Sequence, residues 1–139
     1  MFSITRSDYG FHLVFGGIMD APELEHWLRE STAALQSVEG EFYVLVDMRT
    51  LGPLEPKGKL LMQAGQAMYR RAGMLRSVVI LNNPVTLMQF KRIAHESGIF
   101  EWERYIDASA VPDWEPVAMS WLLHGVDPLN RIIRLKREA

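Results

Sequence analysis

The stretch SVVILNNPVTLMQFKRIAHESG, residues 77–98, decides how this chain folds. Its first five residues show no polar alternation, so both faces of the strand they form must be covered. Two asparagines and a proline then stop the run. Asn83 is placed to cap a following helix, with Pro84 at the first position, where no backbone donor is needed. Leu87, Phe90, Ile93, Ala94 and Ser97 recur at helical spacing and read as the inward face; Gly98 closes the helix. A buried strand running straight into an amphipathic helix is the building unit of a parallel α/β sheet.

Upstream, FYVLVD (42–47) is a second strand of the same kind, ending at Asp47. The loop MRTLGPLE separates it from a helix opened by Pro56. The predicted buried stripe of that helix is Leu60, Leu61, Ala64, Ala67, Met68 and Ala72, and Gly73 caps it. Before it, Asp20 and Glu23 resemble a capping box, with Pro22 in the first turn. Leu24, Trp27, Leu28, Ser31, Ala34, Leu35 and Val38 follow on one face. FSITR and FHLVFGG alternate around the turn SDYG and read as a hairpin. Downstream, WERYID reads as a third, less buried strand. DWEPVAMSWLLHG reads as a last helix, with Trp114, Val117, Ala118, Trp121 and Leu122 on one face.

The order β-β-α-β-α-β-α-β-α implies one α/β domain over residues 1–124. Its sheet is mixed and mostly parallel, with an N-terminal β-hairpin, right-handed crossovers and about four helices. Residues 125–139 read as a basic C-terminal tail. Its last nine residues, RIIRLKREA, hold four basic side chains and one acid; that is +3, against −5 on the rest of the chain. An edge element anchored by Ile133 and Leu135 is the other reading.

At 139 residues the chain suits one domain. That length buries roughly 68% of the unfolded surface, and an apolar content of 48% argues against disorder. A net charge of −2 argues against a nucleic-acid footprint. Without cysteine there is no disulfide, thiolate metal site or thiol nucleophile. No leader pattern opens the sequence, and no run of about 18 apolar residues marks a membrane span. A soluble, cytoplasmic protein is the expectation.

From Pro84 onward the chain resembles a STAS domain, the fold of bacterial anti-sigma-factor antagonists. SGIF (97–100), ERYID (103–107) and PVAMSWL (116–122) stand at the places of that family's third-helix end, following strand and last helix. YVLVDMRTL (43–51) looks like its central strand with the terminal aspartate. The likeness covers residues 1–124 in element order and spacing, and the Trp-containing last helix looks more like the SpoIIAA-like branch of uncharacterised bacterial proteins. The resemblance therefore implies a STAS/SpoIIAA-like fold. Regulatory members open the second helix with DSSG and are phosphorylated on its second serine. Here the matching residues are Glu55, Pro56, Lys57 and Gly58. Neither Pro56 nor Lys57 has a hydroxyl, so the phospho-switch does not carry over.

Candidate polar groups gather at the carboxyl ends of the two central strands, where open α/β sheets bind ligands. Asp47 and Arg49 follow the first, and Asn82, Asn83 and Thr86 the second. Asn82 is expected to face the same crevice as Asp47, and the free N–H groups of the next helix can hold an anion. Each also has a plain structural reading: Asp47 can fix its own loop, and Asn83 can simply cap. Lys57, at a helix start whose dipole disfavours it, is a candidate contact for an anionic partner. The four histidines are scattered, and His95 and Glu96 are sequence neighbours that point apart on a helix, so no metal site is expected. Eight methionines and four tryptophans suit an adaptable core, or a pocket for an apolar ligand beneath the second and third helices.

These readings together suggest a non-catalytic STAS-like module that binds a protein partner or a small ligand, with no cofactor. The alternatives are a carrier of a small apolar or amphiphilic ligand and, remotely, a small hydrolase using Asp47 and Asp107. A homodimer is left open.

Overall fold

The two uninterrupted apolar runs form the middle of the sheet. In the computed structural model, which describes residues 1–130, they belong to β3 (Phe42–Leu51) and β4 (Met74–Leu81). The remaining strands are β1 (Phe2–Ser7), β2 (Gly10–Gly17) and β5 (Glu103–Asp107). Four α-helices connect and cover them: α1 (Ala21–Leu35), α2 (Pro56–Ala72), α3 (Pro84–Ser97) and α4 (Trp114–His124). A 3₁₀ turn, Ile99–Glu101, precedes β5.

The five strands lie in chain order, β1-β2-β3-β4-β5. β1 pairs antiparallel with β2, and every later pair is parallel. Right-handed crossovers that all step the same way across a sheet place their helices on one face. Accordingly Leu24 and Trp27 of α1, Met62 and Tyr69 of α2 and Ala94 of α3 share one core with Phe11, Leu13, Val44, Val46 and Val79. α4 follows the last strand and covers the other face, where Val117, Ala118, Trp121 and Leu122 meet Leu45, Val78, Ile80 and Ile106. β3 and β4 are thus buried on both sides, as their lack of alternation requires.

The structure departs from the sequence reading at several points. β3 does not end at Asp47. A bulge between Val14 and Gly16 brings Gly16 and Gly17 of β2 opposite Thr50 and Leu51, so the strand continues through MRTL. The buried face of α2 is Gly58, Met62, Gly65 and Tyr69, turned away from the expected stripe, and Leu60 is 66% exposed. The cause is Trp27. A Cβ on Gly65 would lie 2.1 Å from its Cη2, so only a glycine admits the ring. Tyr69 then stacks on Trp27 at 6.1 Å, and its hydroxyl pairs with Ser31 Oγ at 2.8 Å. α3 buries only Ala94 fully; Ile93 is half-exposed and Ser97 exposed. β5 is more buried than expected, with Glu103, Tyr105, Ile106 and Asp107 all inside. At α1, Asp20 accepts from the Glu23 N–H at 3.0 Å as expected, but the Glu23 carboxylate meets the Met1 amino group at 2.9 Å instead of completing a capping box.

Of the expected tail, Asp127 is held by Arg104 Nε at 2.9 Å. Residues 131–139, with Ile133 and Leu135, lie outside the described residues.

Two substitutions probe this packing. Trp121 is 5% exposed and its indole N–H donates to the Ser77 carbonyl at 2.9 Å. Trp121→Ala should cost about 3–5 kcal/mol in denaturant unfolding. Gly65→Ala adds one methyl where the Trp27 ring sits and should cost about 1–3 kcal/mol. An unchanged unfolding midpoint in either variant contradicts the packing described.

Candidate functional site

α1 and α2 pack closely through Gly65, whereas α3 packs on β4 and β5 and not against α2. The face of α2 left toward α3 carries Lys59, Gln63 and Gln66, long polar side chains that do not close an apolar seam. The result is a groove of about 610 Å³ at the carboxyl ends of β3 and β4. Met48, Leu54, Met62, Leu81, Phe90 and Ile99 supply its apolar surface. Arg49, Lys59, Gln63, Asn82, Thr86 and Gln89 supply polar groups, and no acid is among the lining residues.

The six residues singled out from sequence separate. Arg49, Asn82, Asn83 and Thr86 line the groove; Asp47 and Lys57 do not. Asp47 alternates with Leu45 and so faces α4, away from the groove. Asn82 and Asp47 therefore share no crevice. Arg49 grips Asp47 through Nε at 3.0 Å and Nη2 at 2.9 Å, and its guanidinium lies over the Trp114 ring at 4.9 Å. Partial burial pushes the Asp47 carboxyl up, but the hydrogen bonds and charge of Arg49 outweigh it and hold the group below its ordinary range. Lys57 sits 3.6 Å from Glu25 on the α1 side, both exposed. Such a surface pair contributes little.

The start of α3 is not an anion cradle. Pro84 has no N–H. Asn83 Oδ1 accepts from Val85 and Thr86 at 2.8 and 3.2 Å, and the Leu87 N–H goes to the Asn83 carbonyl at 3.0 Å. Asn83 is a cap, and it consumes the donors that an anion would need. Nor do Asp47 and Asp107 form a pair. Asp107 alternates with Tyr105 on the groove side of the sheet, opposite to Asp47, and accepts from the Ser109 N–H and hydroxyl at 3.0 and 2.6 Å. Among the described residues no cluster of three or more potential ligands could hold a metal ion.

Sequence reading missed the most unusual group in the molecule. Glu103 is 2% exposed and has no cation beside it. Its Oε1 accepts from Ser77 Oγ at 2.7 Å. Its Oε2 accepts from the Tyr105 hydroxyl at 2.5 Å and, at the 3.5 Å limit, from Gln66 Nε2. Burial pushes its carboxyl up, against the lowering effect of Tyr105 and Ser77. The Tyr105 hydroxyl is raised too, by burial and then by the carboxylate beside it. The signal lay in ERYID: if Tyr105 points inward, alternation sends Glu103 inward as well.

No family model matches the chain, and no curated protein does. Among solved structures it is similar to an uncharacterised protein of the DUF3478 family with a SpoIIAA-like fold from Shewanella loihica PV-4. The TM-score is 0.61 at 16% identity, over 88% of this chain and 92% of that one. The fold here is therefore SpoIIAA-like, as the element order suggested.

Glu103 sets a pH dependence. A carboxyl whose folded pKa is raised contributes stability that is fully present below its unfolded value, about 4.5, and is lost as pH rises through the folded value. Stability of the wild type should therefore decline over that window, against the opposing contribution of Asp47, which is lost as pH falls. Glu103→Gln should remove the decline. Urea midpoints across about pH 4–8 measure it, and parallel profiles for the two proteins would contradict the assignment.

Proposed function

We propose that this chain is a non-catalytic binding module that holds a small amphiphilic ligand in the groove between α2 and α3. The observation that carries the reading is the groove itself. Its volume of about 610 Å³ falls in the range of small-molecule sites. Its floor is apolar. Around it Lys59, Gln63, Asn82 and Gln89 make no side-chain hydrogen bond or ion pair among the described residues, so their polar groups are available. Arg49 is already paired with Asp47, which leaves Lys59 as the cation offered by the lining; with no acid there, the polar end of the ligand is neutral or anionic.

The placement of the acids supports a non-catalytic role: Asp47 and Asp107 face opposite sides of the sheet, and each is held by neighbours. A module without the phospho-switch of anti-sigma-factor antagonists fits a second helix that opens with Pro56 and Lys57. Among the described residues no helix is long and apolar enough to cross a membrane; the cytoplasmic location expected from sequence stays part of the proposal. A second reading, a segment of a protein partner laid in the same groove, is favoured by Ile93, an apolar side chain that lines the groove and is 50% exposed.

Native mass spectrometry of the purified protein should show a retained small molecule. Thr86→Trp, which fills the groove wall, should weaken binding of the fluorescent amphiphile anilinonaphthalene sulfonate by about tenfold or more. Equal binding by wild type and variant would place the site elsewhere. A retained peptide would select the second reading.

A further inference from the structure

A second, smaller cavity of about 30 Å³ lies beneath the groove, and Met48, Met62 and Gln66 line both. Glu103 lines the inner cavity. Tyr105 lines the outer groove and donates to Glu103. The two spaces thus share three side chains, two of them flexible methionines and one a glutamine held by a single long hydrogen bond.

We infer that the inner cavity is the far end of the ligand site and that Glu103 is its specificity-determining residue, selecting a ligand whose apolar tip ends in a hydrogen-bond donor, an amine or a hydroxyl. The inference rests on the groove being a ligand site. A carboxyl enclosed in an apolar core is unfavourable unless paired, and neutral hydroxyls from Ser77 and Tyr105 supply no countercharge. Arg104, its neighbour in the chain, alternates to the opposite face and lies over the Trp121 ring. Oε2 accepts from the Tyr105 hydroxyl at 2.5 Å and, besides it, only from Gln66 at 3.5 Å. A donor arriving between Met48 and Met62 replaces that weak contact with a charge-assisted one. At the other end Lys59, which has no ion-pair partner among the described residues, meets an anionic head. The ligand class is therefore an elongated molecule, anionic at the mouth and donor-bearing at the floor.

Three acids of equal chain length test this: octanoate, ω-hydroxyoctanoate and ω-aminooctanoate, titrated calorimetrically into the full chain. The hydroxy and amino acids should bind more tightly than octanoate by about tenfold, the worth of a hydrogen bond to a charged group. In Glu103→Gln, checked for folding by its thermal midpoint, the amine's advantage should vanish while octanoate affinity stays. Should that variant fail to fold, nuclear Overhauser contacts in the wild type decide: the tip methylene should approach the Met62 methyl and the Tyr105 ring. If no acid binds, the ligand-site reading itself fails. If octanoate binds but the terminal donor adds nothing, adds as much in Glu103→Gln, or lies near Asn82, the role of Glu103 is overturned and the groove stands.

Discussion

The contact between Gly65 and Trp27 organises this molecule. The tryptophan is 2% exposed, packs edge-on to Phe15 at 5.0 Å and stacks on Tyr69. It fits only because one residue of α2 has no side chain. That fit sets the rotation of α2 about its axis. Once Gly65 and Gly58 face α1, the flank of the helix turned toward α3 presents Gln63 and Gln66. A helix with amides on that side cannot seal against α3 as an apolar helix does, and the groove follows. Close packing in one place and an open space in another are two outcomes of the same rotation.

Much of the fold was legible because it depends on local signals. Asp20 and Asn83 mark helix starts by the hydrogen bonds they make, and the unalternating runs in β3 and β4 mark burial on both faces. What sequence hid depends on partners far along the chain. The turned face of α2 needs knowledge of Trp27, 38 residues before Gly65. The extension of β3 needs the bulge opposite Val14–Gly16, where β3 carries one extra residue. The candidate site suffered most, since strand ends were used to place it and β3 ends four residues after Asp47. Asn82 and Thr86 reached the groove through their position after β4, whereas Glu103 went unread because charged residues in a short strand are usually taken as solvated.

The sheet order bears on the site as well. Ligands of doubly wound sheets collect where the strand order reverses and neighbouring helices leave to opposite faces. Here the order never reverses, and α1, α2 and α3 share one face. The expectation that Asp47 lines a crevice came from the reversing case. In this sheet the open space lies between two helices on the same side: within the strands Met48 and Leu81 face it, whereas Asp47 and Ile80 are turned toward α4, and Arg49, Leu51 and Asn82 join its lining only at the strand ends.

α3 has a consequence for how the domain opens. It buries a single residue fully, its first turn is held by Asn83, and it packs on β4, β5 and the 3₁₀ turn Ile99–Glu101 without touching α1 or α2. Free energies of local opening follow buried contact, so α3 belongs at the low end of the hierarchy and β3 and β4 at the top. On that ordering, amide hydrogens of α3 should exchange through excursions that leave the sheet intact. The domain therefore separates into a slow-exchanging floor and a fast-exchanging wall. The rate at which the groove widens is set by that wall, while global unfolding is governed by the two-sided strands beneath it.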